Sequence, residues 1–166
     1  MTAPTQCFLS YAHHDHLGFD RLLAHLQHCA YLFSFRIWYD RRIQPGFYWN
    51  DKIKQELANS QMFVLLATND FLGSDYILKH ELPAIIERHE NHHALLLPVI
   101  YQHCGWMGFF GNYIQVMPTT EQGKLTPVRE WRNPERALAT AAEAISKAIE
   151  EWFGMTPRSP MAGSKP

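Results

Sequence analysis

The acidic residue that most invites a chemical reading is Glu81, which closes the stretch Ser74-Asp75-Tyr76-Ile77-Leu78-Lys79-His80-Glu81. A carboxylate at the wall of a crevice accepts hydrogen bonds from hydroxyl groups and opposes positive charge that builds on a reacting centre. On helical spacing alone, the same residue reads as a solvated glutamate of an amphipathic helix. Its company sets it apart: Ser10 and Tyr11 end the first apolar run, Asp40 and Arg41 the second, and Thr68 and Asn69 the third. The ten histidines include the run His13-His14-Asp15-His16, which invites a metal reading. Adjacent histidines in a loop lack the i, i+4 spacing that gives such sites their geometry, and no metal is expected. Cys7, Cys29 and Cys104 are odd in number, far apart and without zinc or redox spacing, so they read as reduced packing residues.

The elements that would carry these residues alternate. Cys7 to Tyr11 is a buried strand feeding a loop, and Phe19, Leu22, Leu23 and Leu26 then recur with the spacing of one helical face. Phe35 to Tyr39 is a second strand, stopped by a polar loop containing Pro45-Gly46. Asn50 is expected to cap a helix with Ile53 and Leu57 on one face, and Trp49 to enter the core as its first apolar residue. Phe63 to Ala67 is a third strand. Ser74 or Asp75 should cap a helix over Tyr76 to His89, broken near Leu82 by Pro83. Ala94 to Ile100 is a fourth strand bent at Pro98, and Tyr113 to Val116 a short fifth. Asn133-Pro134-Glu135 starts a last helix with Leu138, Ile145, Ile149 and Trp152 on one face.

Strands and helices joined by connections too long for hairpins require a parallel sheet covered on both faces. The expected fold class is α/β: a flavodoxin-like three-layer α/β/α domain with a five-stranded parallel sheet, order 2-1-3-4-5. Its ligand crevice opens where the strand order reverses, between the first and third strands. Ser10, Tyr11, Thr68, Asn69 and the Ser74 to Glu81 segment converge there, and the Asp40 to Tyr48 loop is placed to close over it. Residues 1–5 read as an N-terminal extension, 6–153 as the domain, and 154–166, with Pro157, Pro160, Gly163 and Pro166, as a disordered tail. A formal net charge of −1 gives no general pull on nucleic acid or acidic membranes. No apolar run approaches the ~20 residues that span a bilayer, so a cytoplasmic location is expected.

Cys7-Phe8-Leu9-Ser10-Tyr11 resembles the opening signature of Toll/interleukin-1 receptor (TIR) domains. Trp38-Tyr39-Asp40-Arg41, with Ile43, Pro45-Gly46 and Trp49, resembles the second strand and following loop of the bacterial members. Phe71-Leu72-Gly73-Ser74-Asp75-Tyr76 leading to Glu81 is similar to the segment that holds their catalytic glutamate. Cys104-Gly105-Trp106, Met117-Pro118 and Pro127 to Trp131 are similar to their C-terminal third. The order and spacing of these pieces carry the resemblance, over residues 6–153. One motif departs: many active members read Trp-Cys-x-x-Glu, whereas here Ile77-Leu78-Lys79-His80 precede Glu81 and the aromatic residue is Tyr76.

The resemblance implies an NAD+ nucleosidase or ADP-ribosyl cyclase, with NAD+ as substrate, no resident cofactor and Glu81 catalytic. The nicotinamide of NAD+ is positively charged and leaves without a proton, so the main demand is to stabilise an oxocarbenium-like ribose. Ser10, Tyr11, Asp40, Arg41, Ser74 and Tyr76 would bind substrate, with Asp40 toward a ribose and Arg41 or Arg42 toward the pyrophosphate. The resemblance also implies self-association through the Asp40 to Tyr48 loop. Similarity to the stand-alone members of the Thoeris anti-phage systems implies an ADP-ribose product acting on a separate effector. The family's other class is a non-catalytic adaptor that only binds further TIR domains. A phosphoacceptor receiver on the same sheet would want an acidic pair after the first strand and an aspartate ending the third, where this chain has Ser10-Tyr11 and Thr68.

Overall fold

The structure, a computed structural model, describes residues 2–43, 45–111 and 113–159. Four strands, β1 (Gln6–Ser10), β2 (Arg36–Trp38), β3 (Met62–Ala67) and β4 (Leu95–Ile100), pair in the order β2-β1-β3-β4, every pairing parallel. The alternation of side chains along each strand divides the core in two. Cys7, Leu9, Met62, Val64, Leu66, Leu95, Leu97 and Val99 face one layer. Phe8, Phe63, Leu65, Ala67, Leu96 and Ile100 face the other. Both faces are covered, which is why these strands read as unbroken apolar runs rather than alternating ones.

The first layer is closed by α1 (His16–Phe33) and α6 (Pro134–Phe153). Phe19, Leu22, Leu26, Cys29 and Phe33 form the buried stripe of α1, against Leu138, Ala141, Ile145 and Ile149 of α6. Asn133 caps α6 as its sequence suggests, its Oδ1 accepting from the amides of Glu135 and Arg136 at 3.0 and 3.3 Å. The second layer is closed by α2 (Trp49–Asn59) and α4 (Leu82–Glu90), with the short α3 (Asn69–Leu72) and α5 (Met107–Phe110) at its margins. At the C-terminal end, Met155 packs on the first layer and the Arg158 amide donates to the Leu32 carbonyl at 2.9 Å. The rest of the expected tail, from Pro160, lies outside the described residues.

The sheet has four strands, not the expected five. Tyr113 to Val116 pairs with nothing in the sheet; the chain instead meets β4 at one bridge, between Val99 and Met117. The Met117 amide donates to the Pro98 carbonyl at 3.0 Å, and the Ile100 amide to the Met117 carbonyl at 2.7 Å. Past Met117 the chain leaves β4, and Thr119 bridges Leu125 instead. Pro98 itself is harmless: its carbonyl faces Met117, so its missing donor lies on the outer side of an end strand and β4 runs unbroken beside β3.

Helix geometry around Pro83 also differs from expectation. No break occurs near Leu82; a π-helical turn, Ile77–Glu81, leads straight into α4, with the Leu82 amide donating to the Ile77 carbonyl. Proline can neither donate to the carbonyl four residues back nor sit close to it. A turn one residue wider relieves both problems, and such turns recur at functional sites because they re-aim a side chain.

Candidate functional site

The strand alternation that places Phe8 in the second layer places Ser10 there too, at the carboxyl end of β1. The π turn packs against that end and turns Glu81 inward, leaving it 6% exposed. Ser10 Oγ donates to Glu81 Oε2 at 2.5 Å. Above this pair opens a cleft of about 480 Å³. Its walls are Tyr11 to His14 after β1, Asp40 after β2, Trp49 at the start of α2, Asn69, Asp70, Gly73 and Ser74 after β3, and Tyr76, Ile77 and Glu81. A recess of about 550 Å³ between residues 119–122 and α6 is larger, but it lies away from the strand ends where open α/β sheets bind ligands.

Most of the sequence-derived candidates therefore meet. Tyr11, Asp40, Ser74, Tyr76 and Glu81 share the cleft, and Ser10 holds Glu81 from beneath. Arg41 does not join them. Its Nε donates to the Tyr11 hydroxyl at 2.9 Å, its Nη2 pairs with Asp20 at 2.9 Å, and its guanidinium lies over Phe19, 4.3 Å from the ring centroid. The 3₁₀ turn Asp40–Arg42 sends successive side chains in different directions, so Asp40 faces the cleft and Arg41 faces α1. Arg42 stacks over Tyr39 instead, at 4.9 Å. Thr68 is buried, donating to Asp15 at 2.5 Å and accepting from the Phe71 amide, a helix cap rather than a cleft wall.

Two further residues belong to the site. Trp49 is 42% exposed and not a core residue; its ring lies 4.3 Å from that of Tyr76, whose hydroxyl donates to Asn50 Oδ1 at 2.8 Å. Asn50 thus sits inside α2 and caps nothing. The stripe shared with Ile53 pointed Trp49 inward, but the first turn of α2 reaches past the strand ends, where the inward direction is the cleft. His13, in the 3₁₀ turn His13–Asp15, pairs through Nε2 with Asp40 Oδ2. Among the described residues, no group of three or more His, Cys, Asp or Glu side chains is arranged to hold a metal ion.

Burial chiefly pushes the Glu81 carboxyl up to about 7; the Ser10 hydroxyl works against that, the charge of Asp40 adds to it, and His13 opposes it. Burial, then Asp40, pushes the Tyr11 phenol up to about 12, against the pull of Arg41. Tyr76 is raised by burial and by Glu81. Asp40 Oδ1 is buried without a hydrogen-bond partner among the described residues. The site thus combines a desolvated glutamate near its point of ionisation, an unused carboxylate oxygen and two aromatic rings, an arrangement able to take a polyhydroxylated ligand with a flat ring.

The TIR-domain family model matches residues 7–120, and the chain belongs to the TIR domain family. The uncharacterized protein y4lF of Sinorhizobium fredii is 28% identical over 141 residues, which are 85% of this chain but 42% of that protein. The chain therefore spans less than half the length of this relative. The TIR domain heterodimer of RPS4 and RRS1 is similar in fold, with a TM-score of 0.56 at 9% identity over 91% of this chain and 99% of that one. The TIR domain of the Toll-related receptor TRR-2 from Hydra magnipapillata gives 0.52 at 16% identity, over 66% and 81%. Among the described residues, no helix is long and apolar enough to cross a membrane.

Proposed function

We propose that this TIR domain cleaves the bond between nicotinamide and ribose in NAD+, with Glu81 as the catalytic carboxylate. The observation that carries the proposal is a buried glutamate, held by a single serine hydroxyl, at the floor of a cleft at the carboxyl ends of the strands. In the reaction the bond from C1′ to the pyridinium nitrogen breaks, its electron pair stays on nitrogen, and neutral nicotinamide leaves. The ribosyl group is left with positive charge, which ionised Glu81 opposes while accepting from a ribose hydroxyl. Water then adds at C1′ and loses a proton to give ADP-ribose, or a nucleophile of the same molecule closes a ring. Asp40 offers its unpartnered oxygen to a second hydroxyl, and Trp49 and Tyr76 offer ring faces to a planar base. Incubating the protein with NAD+ and identifying products by mass spectrometry tests the proposal; NAD+ that stays intact at every protein concentration and pH overturns it.

Assembly belongs to the same proposal. Phe47 is 64% and Tyr48 82% exposed on the loop that follows Asp40, and exposed aromatic groups of this kind mark contact surfaces. We propose that a second copy seats on this loop and completes the cleft, and that the product signals to a separate effector. Gly46, at φ +91°, holds a conformation closed to proline. Gly46→Pro should therefore lower both self-association, read by analytical ultracentrifugation, and NAD+ turnover by about tenfold or more, the scale on which misplacing a substrate-positioning element costs rate. If the domain is an adaptor alone, Gly46→Pro weakens association while neither protein consumes NAD+.

A further inference from the structure

We infer that His13, resting on the proposed role of Glu81, is a positioning residue of that site: its ion pair with Asp40 screens Glu81 from the second carboxylate of the cleft. β1 and β2 are neighbours in the sheet, so the turns that follow them meet at the cleft mouth. One brings His13, three residues beyond Ser10; the other brings Asp40. His13, Asp40 and Glu81 all line the cleft, and the imidazole Nε2 engages Asp40 Oδ2.

Two carboxylates in one desolvated cleft oppose each other's ionisation, and a cation held on one relieves the other. The neighbouring charges leave this task to His13. Arg41 is taken by Asp20 and the Tyr11 hydroxyl. The Tyr11 ring lies tilted against that of His13, 5.8 Å between centroids, and His14 and Asp70 also line the cleft. Among the described residues, His13 is the group paired with Asp40 that can carry a positive charge.

A pair that only pinned the two turns together would respond alike to loss of either partner. A screening pair responds in opposite directions. Removing His13 leaves Asp40 bare and makes Glu81 harder to ionise; removing the Asp40 charge makes it easier. The test is a carbon-13 NMR titration of the Glu81 side-chain carboxyl in the full chain and in His13→Gln, His13→Lys and Asp40→Asn, with the pH profile of NAD+ loss measured on the same proteins. In His13→Gln the midpoint should rise by about half a pH unit, in His13→Lys it should not rise, and in Asp40→Asn it should fall by at least as much. Movement of His13→Gln and Asp40→Asn in the same direction, or movement of neither, overturns the inference. The titration does not need turnover: opposite movements without NAD+ loss leave the role of His13 standing and sink the proposed activity, and the converse result does the reverse.

Discussion

Among the described residues two glutamates are buried, one near each end of β1, and they are built in opposite ways. Glu56, at the amino end, receives Gln6 Nε2 at 2.7 Å on one oxygen and Lys52 Nζ at 2.5 Å on the other. Gln6 is held in turn by Ser60, whose hydroxyl donates to the Glu56 carbonyl at 2.7 Å. Burial alone would raise the Glu56 carboxyl, but the hydrogen bonds from Lys52 and Gln6 outweigh it and hold the group below its ordinary value. Glu81, at the carboxyl end, has one donor, Ser10, and burial wins. The difference is one of supply. A carboxylate with a donor on each oxygen is part of the scaffold, whereas one buried with a single donor on one oxygen is kept ready for groups that arrive with a ligand.

Neutralising each glutamate in turn should separate the two roles. Glu81→Gln is expected to lower NAD+ turnover by roughly a hundredfold or more, the scale of losing a fixed electrostatic contact to a transition state. Its effect on stability has the opposite sign from that of an ordinary site. With the folded-state carboxyl raised from 4.5 to about 7, the folded protein holds a proton that the unfolded chain gives up, so stability is full below about pH 4.5 and declines as pH climbs to about 7. The variant escapes that decline, and its thermal midpoint at pH 8 should equal or exceed that of the native protein. Glu56→Gln reverses both outcomes. It should cost about 1–3 kcal/mol, seen as a midpoint several degrees lower at pH 7, because it strips the partner from Lys52 in a buried network. The contribution of Glu56 is present above its ordinary value and is lost as pH falls below it, so the two proteins should converge in acid. Turnover by folded Glu56→Gln should stay within about twofold, since Gln6 and Ser10 are separated by about 13 Å of strand. A large loss of turnover from Glu56→Gln, or a lower midpoint from Glu81→Gln at pH 8, would dissolve the contrast.

Sequence order located Glu81 but not the contrast. The four strands, the helix stripes and the convergence of Ser10, Tyr11, Asp40, Ser74 and Tyr76 follow from apolar periodicity and the strand-order rule, both local or topological signals. The fifth strand failed because Tyr113-Ile114-Gln115-Val116 looks β-compatible in composition, whereas the chain touches β4 only at Met117 and then turns to bridge Thr119 with Leu125. The break at Pro83 became a π turn because a helix end under tertiary packing can widen instead of ending. Arg41 and Asp40 are adjacent, and no periodic rule tells which of the two a 3₁₀ turn aims at the cleft. His13 was legible only as one of a histidine run, since its partner lies 27 residues away on another strand's loop. Glu56 carried only half a signal: Lys52 stands four residues before it on α2, the ordinary spacing of a solvated surface pair, whereas Gln6 becomes its partner only once β1 and α2 are packed.

The smallest expected effect tests whether Ser10 is the hinge of the comparison. At the Glu56 end, losing any single donor leaves another in place. At the other end, Ser10→Ala removes the one hydrogen bond that favours the ionised form of Glu81, while the burial that disfavours it stays. The Glu81 carboxyl should then titrate about one pH unit higher, the equivalent of the ~1.4 kcal/mol expected of a hydrogen bond to a charged group. Because the carboxylate is the working form, the rise of turnover with pH should move upward by the same amount. At pH 6 the variant should lose about tenfold, and at pH 9, where Glu81 is ionised in both proteins, about twofold or less. The thermal midpoint should barely move at pH 5, where Glu81 is protonated in both proteins, and should fall by a few degrees at pH 9, where the lost hydrogen bond served the ionised form. Equal losses at pH 6 and pH 9 would mean that Ser10 acts by shaping the cleft floor, and that the charge state of Glu81 is set without it.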